Sequence, residues 1–154
     1  MAPLRFKLIK DIKKLDGEII KHIFNNFGAI IDGWDSPKYY VIVAYDKKDW
    51  VAYSCLRHHE SHNDGNVCYS GPVFVKSAYR GKGMQANLLR RKIRLAKKLG
   101  YVRMVSSTYI ENYPSNNNLI RCGFYMIAPW ISSGEKLFRW LQGEPDSIYW
   151  EKSL

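Results

Sequence analysis

The stretch Val73-Phe74-Val75-Lys76-Ser77-Ala78-Tyr79-Arg80-Gly81-Lys82-Gly83-Met84-Gln85-Ala86-Asn87-Leu88-Leu89 decides the fold. Its apolar opening reads as a buried strand, the Arg-Gly-Lys-Gly segment as a turn, and the rest as the start of an amphipathic helix. The first N–H groups of a helix have no partner inside the helix and lie at the positive end of its dipole. Gly81 and Gly83 permit positive φ and let a ligand approach the backbone closely. Strand, glycine turn and helix N-terminus therefore predict a site for a phosphate or diphosphate.

Working outward, the helix extends from Gln85 to Leu99, with Met84, Leu88, Leu89, Ile93, Ala96 and Leu99 on one apolar face and Gly100 closing it. Upstream, Ile12, Leu15, Ile19, Ile20 and Ile23 recur at helical spacing, which predicts a helix from about Asp11 to Phe27, stopped at Gly28. Lys38 to Asp46 and Trp50 to His58 are rich in β-branched and aromatic residues, and the polar turn Lys47-Lys48-Asp49 makes them a hairpin. A polar loop from His59 to Asn66 leads to a strand from Cys68 to Val75, bent at Gly71-Pro72. Tyr101 to Tyr109 reads as the next strand, followed by a turn and a short helix capped by Ser115 and running through Cys122. Phe124 to Trp130, Glu135 to Leu141 and Ser147 to Lys152 read as further strands. This mixture gives an α/β or α+β class with a mixed sheet.

The 154 residues suit a single domain over 1–154, and 46% apolar content excludes a disordered chain. No apolar run has membrane-spanning length, and Met1 to Lys7 lack the features of a signal peptide. Cys55, Cys68 and Cys122 are scattered, as expected of reduced thiols in the cytoplasm. The net charge of +10 attracts polyanions but selects no function by itself.

Val75-Lys76-Ser77-Ala78-Tyr79-Arg80-Gly81-Lys82-Gly83-Met84-Gln85 resembles the acetyl-CoA motif of the GNAT N-acetyltransferases. That motif runs from a valine through an aromatic to Arg/Gln-x-x-Gly-x-Gly/Ala. A second block, Asn112, Ser115 and Leu119-Ile120-Arg121-Cys122-Gly123-Phe124, is similar to the family's Asn-x-x-Ala segment ending in Gly-Phe. The resemblance spans roughly Lys38 to Tyr125 and implies a GNAT-like fold: a mixed sheet of about six to seven strands, flanked by about four helices. Two strands of that sheet splay to form the acetyl-CoA slot. It implies an acyltransferase that moves an acetyl group from acetyl-CoA directly to an amine of a small molecule, peptide or protein. The diphosphate would lie on Gly81 to Gln85, with Arg80 and Lys82 adding charge. The pantetheine arm would run beside Phe74 and Val75, and Asn112, Ser115 and Asn116 would contact the pantetheine or the nucleotide. Helix capping is the competing role for Asn112 and Ser115. The short GNAT-like proteins of phages resemble the chain in carrying Gln after the glycine turn and Ser-Asn-Asn in the second block.

Two departures bear on chemistry. Gln85 stands where the motif ends in Gly or Ala, although its backbone N–H still serves. Leu119 stands where many members place a tyrosine that protonates the departing thiolate. Water, another group, or departure as a thiolate replaces that tyrosine, since a thiol ordinarily titrates near ~8.5. The place of the carboxylate base of some relatives falls on Tyr69, a weak base but a usable acid or positioning group. Glu111 and the imidazoles of His58 or His59 are the other acid–base candidates, with Glu111 also readable as a solvated turn carboxylate.

The run from His58 to Asp64 reads as a solvated loop rather than a metal site, because no cysteine is spaced to join it. Trp34, Trp50, Trp130, Trp140 and Trp150 read as core and sheet-face residues. Arg90, Arg91, Arg94, Lys97 and Lys98 share one side of the helix, either as a solvated face or as a track for nucleic acid or an acidic partner. The alternatives to the amine acetyltransferase are accordingly a nucleic-acid-associated protein of the same fold, modifying a base or tRNA, and a CoA-binding pseudoenzyme that acts through a protein partner. The sequence leaves monomer and homodimer open.

Overall fold

Residues 39–58 form the hairpin that their composition predicts: β2 (Tyr39–Asp46) and β3 (Asp49–His58) pair antiparallel across a turn at Lys47, whose φ is 55°. The structure, a computed structural model, describes residues 3–27, 39–59, 66–127 and 147–154. To the hairpin are added β1 (Arg5–Ile9), β4 (Val67–Val75), β5 (Arg103–Tyr109), β6 (Tyr125–Ile127) and β7 (Ser147–Ser153). The strands make one seven-stranded sheet in the order β1-β2-β3-β4-β5-β7-β6. Among the described residues, only β4 and β5 pair in parallel. The mixed sheet and the three helices among the described residues agree with the sequence reading.

Helices cover both faces. Ile19 and Ile23 of α1 (Gly17–Phe27) pack with Tyr39, Val41, Tyr53 and Cys55 on one. On the other, Leu89, Ile93 and Ala96 of α2 (Met84–Lys98) join Leu119 of α3 (Tyr113–Arg121) over Leu56, Cys68, Met104 and Trp150. Met84 and Leu88 continue that core over Ile42, Ala44 and Ala52. Burial of a leucine such as Leu88 stabilises the fold by roughly 1.5–3 kcal/mol.

Four local expectations change. The first helix begins at Gly17, not Asp11, because residues 12–14 form a separate 3-10 turn and Leu15 is extended. Asp16 starts α1: its Oδ1 accepts the Glu18 N–H at 2.8 Å and its carbonyl accepts that of Ile20. Strand β1 has no counterpart in the sequence reading, since this edge strand carries Arg5 and Lys7 and buries only Ile9. Leu99 leaves the apolar face and is exposed at the helix C-cap. Asn112, not Ser115, caps α3, accepting the Ser115 N–H at 3.4 Å. Gly28, Trp34, Lys38, His62, Trp130, Trp140 and the strand expected over Glu135 to Leu141 lie outside the described residues.

Candidate active site

The site starts where β4 and β5 part. Their parallel pairing holds for Val67–Tyr69 against Arg103–Val105 and then stops, although β5 stays paired with β7 through Tyr109. At Gly71-Pro72 the chain bulges: Gly71 has φ 146°, Pro72 offers no N–H, and the register with β3 shifts. Side chains lock the root of the fork on both faces. Tyr69 Oη and Ser107 Oγ are 2.7 Å apart on the α1 face. On the α2 face Ser106 Oγ donates to the Ser70 carbonyl at 2.8 Å, and Lys92 Nζ donates to Ser70 Oγ at 2.6 Å. Lys92 is fully buried beside Cys55 and Cys68, and burial pushes it down to about 8. The same burial pushes the thiols of Cys55 and Cys68 up, to about 11 and about 12.

Beyond the fork root, β4 turns an edge toward β5. The Lys76 N–H returns to the Val51 carbonyl, so alternation directs the N–H and C=O of Val75 toward the opening. Arg80 Nε donates to the Val75 carbonyl at 2.8 Å, and its guanidinium lies 5.7 Å from the Phe74 ring. A 3-10 turn over Ser77–Tyr79 leads into the glycine segment, tethered to the hairpin by Tyr79 Oη donating to Asp46 Oδ2 at 2.7 Å. Lys82 Nζ lies 5.9 Å from the Tyr79 ring.

The glycines behave as the sequence requires. Gly81 and Gly83 have φ of 73° and 76°, and Gly83 is the N-cap of α2 without any side-chain cap. A Cβ built at either would meet no atom within 4 Å, so the backbone conformation demands glycine and the space over it is open. The N–H groups of Met84, Gln85 and Ala86 face that space as the first turn of an uncapped helix. The Gln85 side chain turns the other way. Its Nε2 donates to Ser115 Oγ at 2.6 Å and its Oε1 accepts from Asn118 Nδ2 at 3.1 Å. No side chain caps these N–H groups, so they are available to an anionic group.

Asn116 is buried with every side-chain group engaged: Oδ1 accepts from Thr108 Oγ1, and Nδ2 donates to the Tyr109 and Ile110 carbonyls. Trp150 Nε1 completes this tie by donating to Thr108 Oγ1 at 2.8 Å. The acid–base candidates do not converge. Tyr69 is buried at the fork root, with the Arg57 guanidinium 4.8 Å from its ring centre. His59 is buried rather than solvated, edge-on to Tyr69 with ring centres 6.3 Å apart. His58 Nδ1 lies 3.3 Å from Tyr101 Oη. Glu111 is exposed in the turn after β5, and Leu119 is a core residue.

Residues 14–124 match the acetyltransferase (GNAT) family model. The chain belongs to the GNAT family of acetyltransferases. GNAT enzymes take the acetyl group from acetyl-CoA. No curated protein sequence matches the chain. Solved structures share the fold: an IAA acetyltransferase from Bacillus cereus, 13% identical, superposes with a TM-score of 0.73 over 99% of this chain and 100% of its own. A Bacillus subtilis acetyltransferase in complex with CoA, 16% identical, gives 0.73 over 99% of both chains. The Salmonella typhimurium protein yncA with its cofactor acetyl-CoA, 20% identical, gives 0.71 over 99% of this chain and 95% of its own.

Two residues of this GNAT chain escaped the motifs. Lys92 could have been found, since it lies four residues after Leu88 and four before Ala96, on the apolar face. His22 carried no such signal. On α1 its Nδ1 lies 2.9 Å from Tyr53 Oη, and its ring centre is 4.1 Å from that of Phe74 and 5.4 Å from that of Trp50.

Proposed function

We propose that this GNAT acetyltransferase acts as one domain over 1–154 and acetylates an amine of a small molecule, peptide or protein by direct transfer. The observation that carries the reading is the parting of β4 and β5 beside an uncapped, glycine-led helix. In it, the N–H groups from Gly81 to Gln85 hold the diphosphate of acetyl-CoA, with Arg80 and Lys82 as counter-charges. Phe74 and Val75 flank the pantetheine arm, Asn112 and Ser115 border it from α3, and Asn116 holds that border in place. Bound there, acetyl-CoA supplies an activated acetyl thioester. The Val75 N–H polarises the thioester carbonyl and stabilises charge that develops on its oxygen. Leu119 donates no proton, so the thiolate leaves without the tyrosine used by many relatives. Reduced thiols suit action in the cytoplasm.

Acetyl-CoA should raise the melting temperature of the protein, and the double substitution Arg80→Ala, Gly83→Asp should abolish that rise. No rise in the parent protein would sink the assignment of the donor site. A second reading, with an amine carried on nucleic acid, draws support from the exposed Arg90, Arg94, Lys97 and Lys98 on α2. Filter binding of RNA across a salt series tests it, and a flat salt dependence counts against it.

A further inference from the structure

The geometry points to His22 as the general base that takes the proton from the acceptor amine, with Tyr53 as the residue that positions it. The assignment rests on the acetyl-transfer reading above and fills a role that no sequence motif fills. The position of the carboxylate base of some relatives holds Tyr69, whose hydroxyl is engaged by Ser107. The position of the usual tyrosine acid is buried as Leu119.

His22 stands on the other side of the sheet from the diphosphate cradle. Met84, at the start of α2, packs with the core that includes Val73 and Val75. Phe74, between those two valines, points to the opposite face and packs against the His22 ring. Donor grip and imidazole therefore flank the same short piece of β4 from its two faces. An acceptor that approaches on the α1 side meets His22 next to the carbonyl polarised at Val75.

The ring is held for this task. Trp50, Tyr53 and Phe74 surround it, with Trp50 and Tyr53 edge-on. In the base-competent tautomer, Nδ1–H donates to Tyr53 Oη and leaves the Nε2 lone pair free. Burial pushes the Tyr53 phenol well above its ordinary range, so it stays a neutral partner. Burial, and then the charge of Lys76, lower the His22 pKa below its ordinary 6.5 and keep the imidazole neutral near pH 7. The titratable and charged groups around it are Tyr53 from β3, Lys76 just beyond β4 with Nζ 3.9 Å from the Trp50 ring centre, Arg80 across Phe74, and Glu18 one helical turn earlier.

The step balances within the site. As the amine nitrogen bonds to the carbonyl carbon, its proton passes to His22 Nε2. The C–S bond then breaks, the thiolate leaves, and the imidazolium returns the proton to sulfur. Amine and thioester become amide and thiol with no net gain or loss of protons.

The test measures thiol release from acetyl-CoA with spermidine, a mixture of free amino acids and a lysine-containing peptide as acceptors, across pH 5.5–9. His22→Asn and His22→Gln should each lower kcat/KM by roughly 100-fold or more. Both should leave acetyl-CoA affinity by calorimetry within about twofold and abolish the acidic limb of the profile. Lys76→Met should move that limb to higher pH in a protein that keeps His22. An unchanged limb, activity within about threefold of the parent, or lost acetyl-CoA binding in both His22 variants would overturn the assignment. If the parent binds acetyl-CoA but acetylates none of the acceptors, NMR titration of the imidazole decides. A neutral imidazole protonated at Nδ1, with Nε2 unprotonated at pH 7.5, supports the role, and a proton on Nε2 in place of Nδ1 overturns it. Failure of the parent to bind acetyl-CoA would instead overturn the transfer reading from which the role derives.

Discussion

Replacing Lys92 with methionine should stabilise the folded state at neutral pH, and the gain should shrink as the solution becomes alkaline. Lys92 Nζ meets only neutral oxygens in the contacts that hold it, Ser70 Oγ at 2.6 Å and the Cys55 carbonyl at 3.5 Å. Burial lowers its pKa from 10.5 to about 8. At about 1.4 kcal/mol per pKa unit, that depression opposes folding by about 3 kcal/mol wherever both states are protonated, below pH 8. Methionine removes this cost but also removes hydrogen bonds worth about 1 kcal/mol, so a net gain of about 2 kcal/mol is expected at pH 7. Above pH 8 the folded state releases the proton while the unfolded chain keeps it up to 10.5, so the parent gains stability with rising pH. The advantage of Lys92→Met should therefore fall by about 1 kcal/mol between pH 7 and pH 9. Cys55 and Cys68 act in the opposite direction: their raised pKa values make stability fall as the unfolded thiols ionise above about 9. That effect is common to both proteins and largely cancels in the difference. Urea unfolding of parent and variant at pH 7, 8 and 9 reads the quantity directly. A variant less stable than the parent at pH 7, or a difference independent of pH, would refute the reasoning.

Gln85→Ala should lower unfolding stability by about 1–2 kcal/mol, because it removes the bonds to Ser115 and Asn118. The thermal shift given by acetyl-CoA should persist in that variant, since the backbone N–H remains; its loss would make the side chain part of the donor site. Of the three free cysteines, only the part-exposed Cys122 should react quickly with a thiol reagent in the native protein. Cys55 and Cys68 should become reactive only on denaturation, and rapid labelling of either would show that the core around Lys92 opens readily.

What was legible in the sequence was what short-range rules encode. The glycine turn, the strand before it and the helix after it lie within one continuous stretch, and the spacing of Asn112 to Gly123 carried the second block. The bend at Gly71-Pro72 was legible from a missing donor beside a permissive residue. Contacts between distant segments were not. His22 and Tyr53 are 31 residues apart, and nothing local to either announces their hydrogen bond. The same limit applies to Asn116, whose amide bonds to Thr108 near the end of β5 while Thr108 in turn accepts from Trp150 of β7, contacts that no local pattern announces. For α1, apolar periodicity ran across Leu15 and Asp16, but the cap at Asp16 set the helix start.

The Gln85 amide has a consequence for how the protein handles its donor. One side chain spans the N-terminal turns of α2 and α3, bonding to Ser115 at one end and Asn118 at the other. The start of α2 and the body of α3 are thereby tied by one side chain, a link added to the packing of Leu89 against Leu119. A strain placed on the first turn of α2 therefore reaches α3 through this amide as well as through the shared core.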